Sequence, residues 1–270
     1  KGVIIAQNYQ EAKAAVKDML SGNRFGEAGC EVVIEEFLVG EEASFIVLCD
    51  GKTALPMATS QDHKARDDGD KGPNTGGMGA YSPAPIVDQR IHDYTMKHII
   101  NPVLKGMIEE GSPYTGFLYA GLMISPTGDI KTLEYNCRFG DPETQPIMMR
   151  LESDLVELAM AAIEGRLDQT STEWSKQTAL GVVLASKGYP DKYPTDEIIE
   201  GLDGIHQNGK VFHAGTKSKH GNTLTSGGRV LCATALGNDI QSAYKNAYQL
   251  VNEINWPHKY YRTDIGKKAF

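Results

Sequence analysis

Apolar positions recur along this chain with two periods, one near two residues and one near 3.6. Residues 3–6, Val-Ile-Ile-Ala, read as a strand. Glu11, Ala12, Ala15, Val16, Met19 and Leu20 follow at helical spacing, and Ser21-Gly22-Asn23 ends the run. Residues 32–37 and 44–49 are β-rich runs on either side of Gly40, and Asp50-Gly51 is a hairpin turn into residues 53–57. From 59 to 85 the pattern dissolves into polar, charged, Gly and Pro residues. That stretch is too long for an ordinary connection, which predicts a functional or disordered loop. Over about 88–107, Ile91, Tyr94, Ile99 and Val103 share a helical side, and Asn101-Pro102 predicts a division into two pieces.

Further on, residues 117–124 and 130–136 predict a β-hairpin around Ser125-Pro126-Thr127-Gly128-Asp129. Residues 154–163 carry helical spacing, with Gly165 placed to stop the helix. After a boundary near 169–176, residues 179–185, 210–214 and 229–235 read as strands and 240–254 as a closing amphipathic helix. The organisation predicted is three segments, 1–57, 58–172 and 173–270, of α+β class, the last a small α+β domain.

Composition adds exclusions. Of 270 residues, 40% are hydrophobic and 23% charged, as in an ordinary globular protein with a substantial core. Twenty-seven basic against 35 acidic residues give a formal charge of -8, which disfavours nucleic acid and anionic membrane as partners but not small phosphorylated ligands. Cys30, Cys49, Cys137 and Cys232 are widely spaced and suggest neither a zinc site nor a disulfide framework, so a reducing cytoplasm fits best. No apolar run approaches the roughly 20 residues that cross a bilayer. An apolar run directly behind Lys1-Gly2 predicts a start inside a domain.

Three constellations could carry chemistry. Alternation puts Glu134 and Asn136 on one face of a strand, roughly 7 Å apart at their α-carbons, where two oxygens can meet one magnesium ion or form a half-exposed strand face. The residues that follow, Cys137-Arg138-Phe139-Gly140-Asp141-Pro142-Glu143, put a cation and two carboxylates in a tight turn. Arg138 can grip a carboxylate or phosphate through two parallel hydrogen bonds, or the turn can simply precede a helix capped by Asp141. Around Gly40, the run 32–42 can offer backbone groups to an adenine edge and a carboxylate to a ribose, or be an edge strand with solvated acids. Finally, Gln61-Asp62-His63-Lys64 and the run 71–81, with Gly76, Gly77 and Gly79, offer open backbone amides beside His63, Lys64, Arg66 and Lys71. A flexible surface loop is the other reading, and no Walker-type motif is present.

Four stretches in order, IEEFLVGEEAS, SQDHKA, GPNTGGMGAYSP and LEYNCRFGDPETQ, resemble the glycinamide ribonucleotide synthetase (phosphoribosylamine-glycine ligase) family of the ATP-grasp superfamily. The resemblance runs the length of the chain. It implies a partial ATP-grasp fold, lacking its N-terminal portion and followed by a small C-terminal α+β domain. ATP would be the co-substrate and magnesium, or manganese, the metal. In the family's pattern Lys1 is an ATP contact, Glu35 and Leu38 match the adenine hinge, and Glu42 the ribose-binding acid. Glu134 and Asn136 match the metal ligands. Gly121 stands where superfamily relatives often supply a further carboxylate, which implies a sparse protein-ligand set completed by phosphate oxygens and water.

The reaction the resemblance implies joins glycine to 5-phosphoribosylamine in purine biosynthesis through a glycyl phosphate, releasing ADP and phosphate. Arg138 would be catalytic, steadying the acyl phosphate. Asp62, Lys64, Asp141 and Glu143 would line the pocket for the two substrates. The rivals are another ATP-grasp carboxylate-amine ligase and a non-catalytic nucleotide-binding module, and the resemblance assigns no oligomeric state.

Overall fold

The computed structural model describes residues 3–21, 26–204 and 208–270. The chain forms two compact units, Lys1–Val39 and Gly40–Phe270, each described by itself. In the first, helix α1 (Tyr9–Leu20) starts at Asn8, whose side chain accepts from the Glu11 N–H at 3.0 Å and satisfies one amide that a helix start leaves unpaired. The strands predicted at residues 3–6 and 32–37 do not form. A strand needs a ladder partner and a face to bury. No described strand pairs with either run, and Val33 and Ile34 are 82% and 80% exposed.

The second unit opens with strands β1 (Glu41–Asp50) and β2 (Ala54–Pro56), joined where the Asp50 carboxylate accepts from the Lys52 and Thr53 amides at 3.0 and 2.7 Å. The predicted long loop is instead built from four short strands, β3 (Gln61–Asp62), β4 (Ala65–Asp67), β5 (Lys71–Asn74) and β6 (Gly79–Ser82). Helices α2 (Gln89–Thr95) and α3 (Asn101–Glu109) follow, separated by a π-helical turn at Met96–Ile100. Pro102 lacks an N–H and crowds the carbonyl four residues back, and the wider π-turn just before it divides the run into the two α-helical pieces expected, the second starting at Asn101.

Strands β7 (Thr115–Ile124) and β8 (Ile130–Asn136) form the predicted hairpin, followed by helices α4 (Thr144–Arg150) and α5 (Leu155–Ile163). The remainder comprises β9 (Thr178–Ser186), β10 (Gly209–His213), β11 (Thr216–Lys219), β12 (Asn222–Thr225), β13 (Arg229–Gly237), α6 (Ile240–Glu253) and β14 (Lys259–Tyr260). Helix α6 begins with a capping box between Asp239 and Ser242.

One antiparallel sheet has the order β2-β1-β7-β8. Both of its faces are covered, which explains why β1 reads as a nearly unbroken apolar run. Phe45, Val47 and Cys49 meet Ile99, Ile100 and Leu104, while Ile46 and Leu48 on the other face meet Ile147, Leu158 and Ala161. Each such Ile or Leu contributes about 1.5–3 kcal/mol by leaving water. The second sheet runs β10-β13-β9-β6-β3, with β14 also on β9. It takes strands from both sides of the segment 169–176, and α6 packs Ala243, Ala247, Leu250 and Val251 into its core. No helix among the described residues is long and apolar enough to cross a membrane.

The C-terminal segment anchors the turn between β4 and β5. Arg262, 1% exposed, donates to the Ala65 carbonyl at 3.0 Å, to Asp70 at 2.9 Å and to Asp264 at 2.8 Å, while Thr263 N–H reaches Asp68 at 2.8 Å. A guanidinium held this deeply is tolerated because its donors meet carboxylates and a carbonyl. Arg262→Leu leaves Asp264 without that cation and is expected to cost about 3 kcal/mol. Calorimetry should then show a melting temperature lower by roughly 6–12 °C, whereas a shift under about 2 °C would mean that the turn stands without the guanidinium.

Candidate functional site

The first sheet places a polar set on the face that otherwise packs α4 and α5. Register pairs Ser44 with Gly121 and Gly121 with Glu134, and pairs Ile46 with Tyr119 and Tyr119 with Asn136, so these positions share one face. What aims Glu134 and Asn136 there is a bulge in β8. Ile130 and Thr132 oppose Ile124 and Leu122, on the side of Phe45 and α3. Strict alternation would send Glu134 and Asn136 the same way, into the apolar core. Instead Leu133 is the extra residue, the register slips between Gly121 and Leu122, and the next residue, Glu134, opposes Gly121. One inserted residue exchanges the faces of everything after it.

At the end of β8 the Asn136 amide Nδ2 donates to Glu134 Oε1 at 3.3 Å, and its Oδ1 accepts from Arg138 Nη2 at 3.4 Å. Arg138 also donates to the Phe139 carbonyl at 2.9 Å. Glu134 and Arg138 are exposed, and Asn136 is half-buried. These are hard oxygen donors at one spot, and they fit a magnesium ion once the amide turns its oxygen towards Glu134. Among the described residues no group of three or more His, Cys, Asp or Glu side chains is poised to hold a metal. A Cβ at Gly121 would meet Tyr119 Cε1 at 3.4 Å and the Glu134 side chain at 3.5 Å, ordinary van der Waals contacts.

Glu42 and Asp62 bring more negative charge, and Lys64 answers it. The Lys64 ammonium is ion-paired with Glu42. Burial works against its charge, but the carboxylates of Asp62, Glu42 and Glu134 outweigh burial and hold it above the ordinary lysine range. Glu42, the expected ribose-binding acid, is therefore engaged by a side chain from the expected substrate pocket. Gln61, Asp62, His63, Lys64 and Glu42 contribute to the wall of a cavity of about 230 Å³.

Glu143 does not stand open to a pocket. It is 3% exposed and accepts from Ser44 Oγ at 2.8 Å, and Ser44 Oγ lies 3.0 Å from the Tyr119 hydroxyl. Burial, then the charges of Glu143 and Asp62, push the Tyr119 hydroxyl far above its usual range. The carboxylate thus braces the sheet from beneath. Asp141 is turned towards Arg229, whose Nη2 donates to Asp141 Oδ2 at 2.7 Å. Of the remaining expected contacts, Glu35 is exposed and Leu38 half-buried within the first unit. Lys1 lies outside the described residues.

Sequence reasoning missed Ser44, Tyr119 and Arg229. A lone serine inside an apolar strand was a usable signal for the first. For Arg229, in the last third of the chain, only the Gly227-Gly228 pair before it hinted at a special position.

His63 is buried, accepts from the Gly266 N–H at 3.3 Å through Nε2, and leaves Nδ1 without a partner among the described residues. Burial, reinforced by the charge of Arg262, lowers its pKa from 6.5 to about 4. Between those values the unfolded chain binds more protons than the folded one. Stability is therefore complete above pH 6.5 and drains away as the pH falls towards 4. Urea titrations should show roughly 3 kcal/mol lost across that window, and His63→Gln should lack this component. An identical pH profile in both proteins would contradict a buried neutral imidazole.

Comparison with known proteins identifies the family and the fold. Residues 1–144 match the family model for the phosphoribosylglycinamide synthetase ATP-grasp (A) domain, and residues 179–268 match the C domain of the same family. Phosphoribosylamine–glycine ligase of Vibrio vulnificus is 60% identical over 270 residues, 100% of this chain and 63% of that protein. The chain thus spans under two thirds of the length of such relatives. The crystal structure of phosphoribosylamine–glycine ligase from Thermotoga maritima is 34% identical, with a TM-score of 0.81 over 94% of this chain and 63% of that one. A biotin carboxylase domain from Hydrogenobacter thermophilus, solved with MgADP and bicarbonate, shares the fold alone at 15% identity, with a TM-score of 0.70 over 97% of this chain and 56% of that one.

Proposed function

The chain belongs to the phosphoribosylglycinamide synthetase family, with its ATP-grasp fold, and from that premise we propose that it serves an ATP-dependent ligase joining glycine to 5-phosphoribosylamine. The observation that carries the reading is the bulged end of β8, where Glu134 and Asn136 meet on the same sheet face as Ser44 and Gly121.

A carboxylate is a poor electrophile because its leaving group would be oxide. Transfer of the γ-phosphoryl group from ATP to glycine gives a glycyl phosphate, which the amine attacks with phosphate leaving. Catalysis of this kind rests on positioning and on stabilising charge, so no enzyme nucleophile is required. Magnesium held by Glu134 and Asn136 would supply charge neutralisation at the phosphate oxygens. Arg138, now held by Asn136 and by a carbonyl, would exchange those contacts for a bidentate grip on the acyl phosphate. Lys64 would meet the incoming anion, leaving Glu42 for the ribose hydroxyls. Asp62 and Asp141 would face the amine side of the two substrates. Glu143 would act beneath the pocket, through Ser44, rather than by touching substrate.

The test is turnover by the full-length protein that carries this chain. Phosphate release from ATP is expected only when glycine and phosphoribosylamine are both present, and equal turnover with other amino acids would reject the assignment. Glu134→Ala should raise the magnesium concentration for half-maximal rate by about tenfold or more, equivalent to roughly 1.4 kcal/mol of binding. Its melting temperature should stay within about 2 °C of the parent, since the side chain is solvent-facing. Unchanged magnesium dependence would remove Glu134 from the metal site.

A further inference from the structure

Arg229 opens β13 in the C-terminal third of the chain, far in sequence from the motifs that carry the proposed chemistry. Its backbone is fixed on two sides: Gly215 N–H donates to its carbonyl at 3.0 Å, and Ser186 N–H donates to the carbonyl of Gly228 beside it at 2.8 Å. From that base the guanidinium reaches two separate turns. Nη1 donates to the carbonyls of Gly76 at 2.9 Å and Asp141 at 3.1 Å, and Nη2 donates to Asp141 Oδ2 at 2.7 Å.

Both turns are shaped to this contact. A Cβ at Gly76 would lie 2.8 Å from the guanidinium carbon, so any larger residue there would oblige the guanidinium to shift from this position. At Gly77, with φ +115, a Cβ would lie 2.3 Å from Pro142 Cδ, so the turns also touch directly. The Tyr189 hydroxyl accepts from Gly76 N–H at 2.9 Å and closes the other side. The glycine turn continues to Lys64, whose carbonyl accepts from the Thr75 N–H at 2.7 Å. The second turn continues to Arg138 on one side and to Glu143, with its bond to Ser44, on the other. The Arg229 fork and the Gly77–Pro142 contact thus join the two turns directly.

We infer that Arg229 is a positioning residue of the ligation site, a clamp that sets the glycine turn and the Asp141-Pro142 turn at one spacing and so places the substrate-side groups relative to each other. This rests on the ligase reading above. A guanidinium suits the task because its planar fork serves a carbonyl and a carboxylate in different directions, which an ammonium on a flexible stem does not. Asp141 remains 55% exposed with Oδ2 engaged, so the clamp orients the carboxylate without hiding it.

The experiment compares Arg229→Gln and Arg229→Lys with the parent in the full-length protein. Arg229→Gln should raise KM for glycine or phosphoribosylamine by about tenfold, the size expected for losing a charged hydrogen bond, and leave KM for ATP within about twofold. Arg229→Lys should recover part of the loss. Hydrogen exchange of the same proteins should accelerate by about tenfold at residues 75–79 and 139–143 and stay unchanged in β9. Unchanged exchange there, unchanged substrate KM values, or a common rise in all three KM values with a lowered melting temperature would each overturn the clamp. Should Arg229→Gln fail to fold, Gly77→Ala separates the turns from the opposite side and must give the same local exchange and KM pattern. Absence of ligase turnover in the parent would defeat the functional reading instead, and the exchange measurement would still decide the clamp.

Discussion

The site depends on a constraint of antiparallel pairing: side chains alternate between two faces, and a single unpaired residue exchanges them. Both faces of the β2-β1-β7-β8 sheet are covered, one by α3 and its neighbours and the other by α4 and α5. A charged residue directed into the first would be buried among Phe45, Ile100 and Leu122, where an unpaired carboxylate costs several kcal/mol. The Leu133 bulge lets Ile130 and Thr132 serve that side while Glu134 and Asn136 serve the other.

Around that face negative charge predominates. Glu42, Asp62, Glu134 and Glu143 converge near one ammonium, Lys64, and the hydroxyls of Ser44 and Tyr119. Like charges this close repel one another in a low-dielectric pocket. Such an arrangement attracts further cations. The buried Glu143 is satisfied from within by Ser44, and this distinguishes a bracing carboxylate from one available to a substrate.

Helices and hairpins were readable wherever the period was strong and the partner local. α1, α5 and α6 carry their own caps in Asn8, Asp154 and Asp239, and the β1-β2 turn is signalled by Asp50-Gly51. Readings failed where the outcome depended on distant partners. Residues 32–37 have strand composition but no ladder among the described residues. Residues 59–85 have loop composition, yet β3 and β6 are recruited into a sheet with β9 and the turn at Asp68–Asp70 is tied down by Arg262. A backbone that looks irregular in sequence becomes ordered when remote donors and acceptors satisfy it.

By itself the amino-acid order determined that Glu134 and Asn136 share a side, that Arg138 and Asp141 lie in one tight turn, and which family the motifs resemble, since those properties follow from local spacing. Only the tertiary structure decided which side of the sheet the pair takes, that Glu143 turns inward to Ser44, that Lys64 answers Glu42, and that Arg229 crosses to the two turns. Register and long-range ion pairs are settled by which surfaces can be buried together and which charges can be neutralised there. That is a property of the packed chain as a whole, beyond the reach of any window of neighbouring residues.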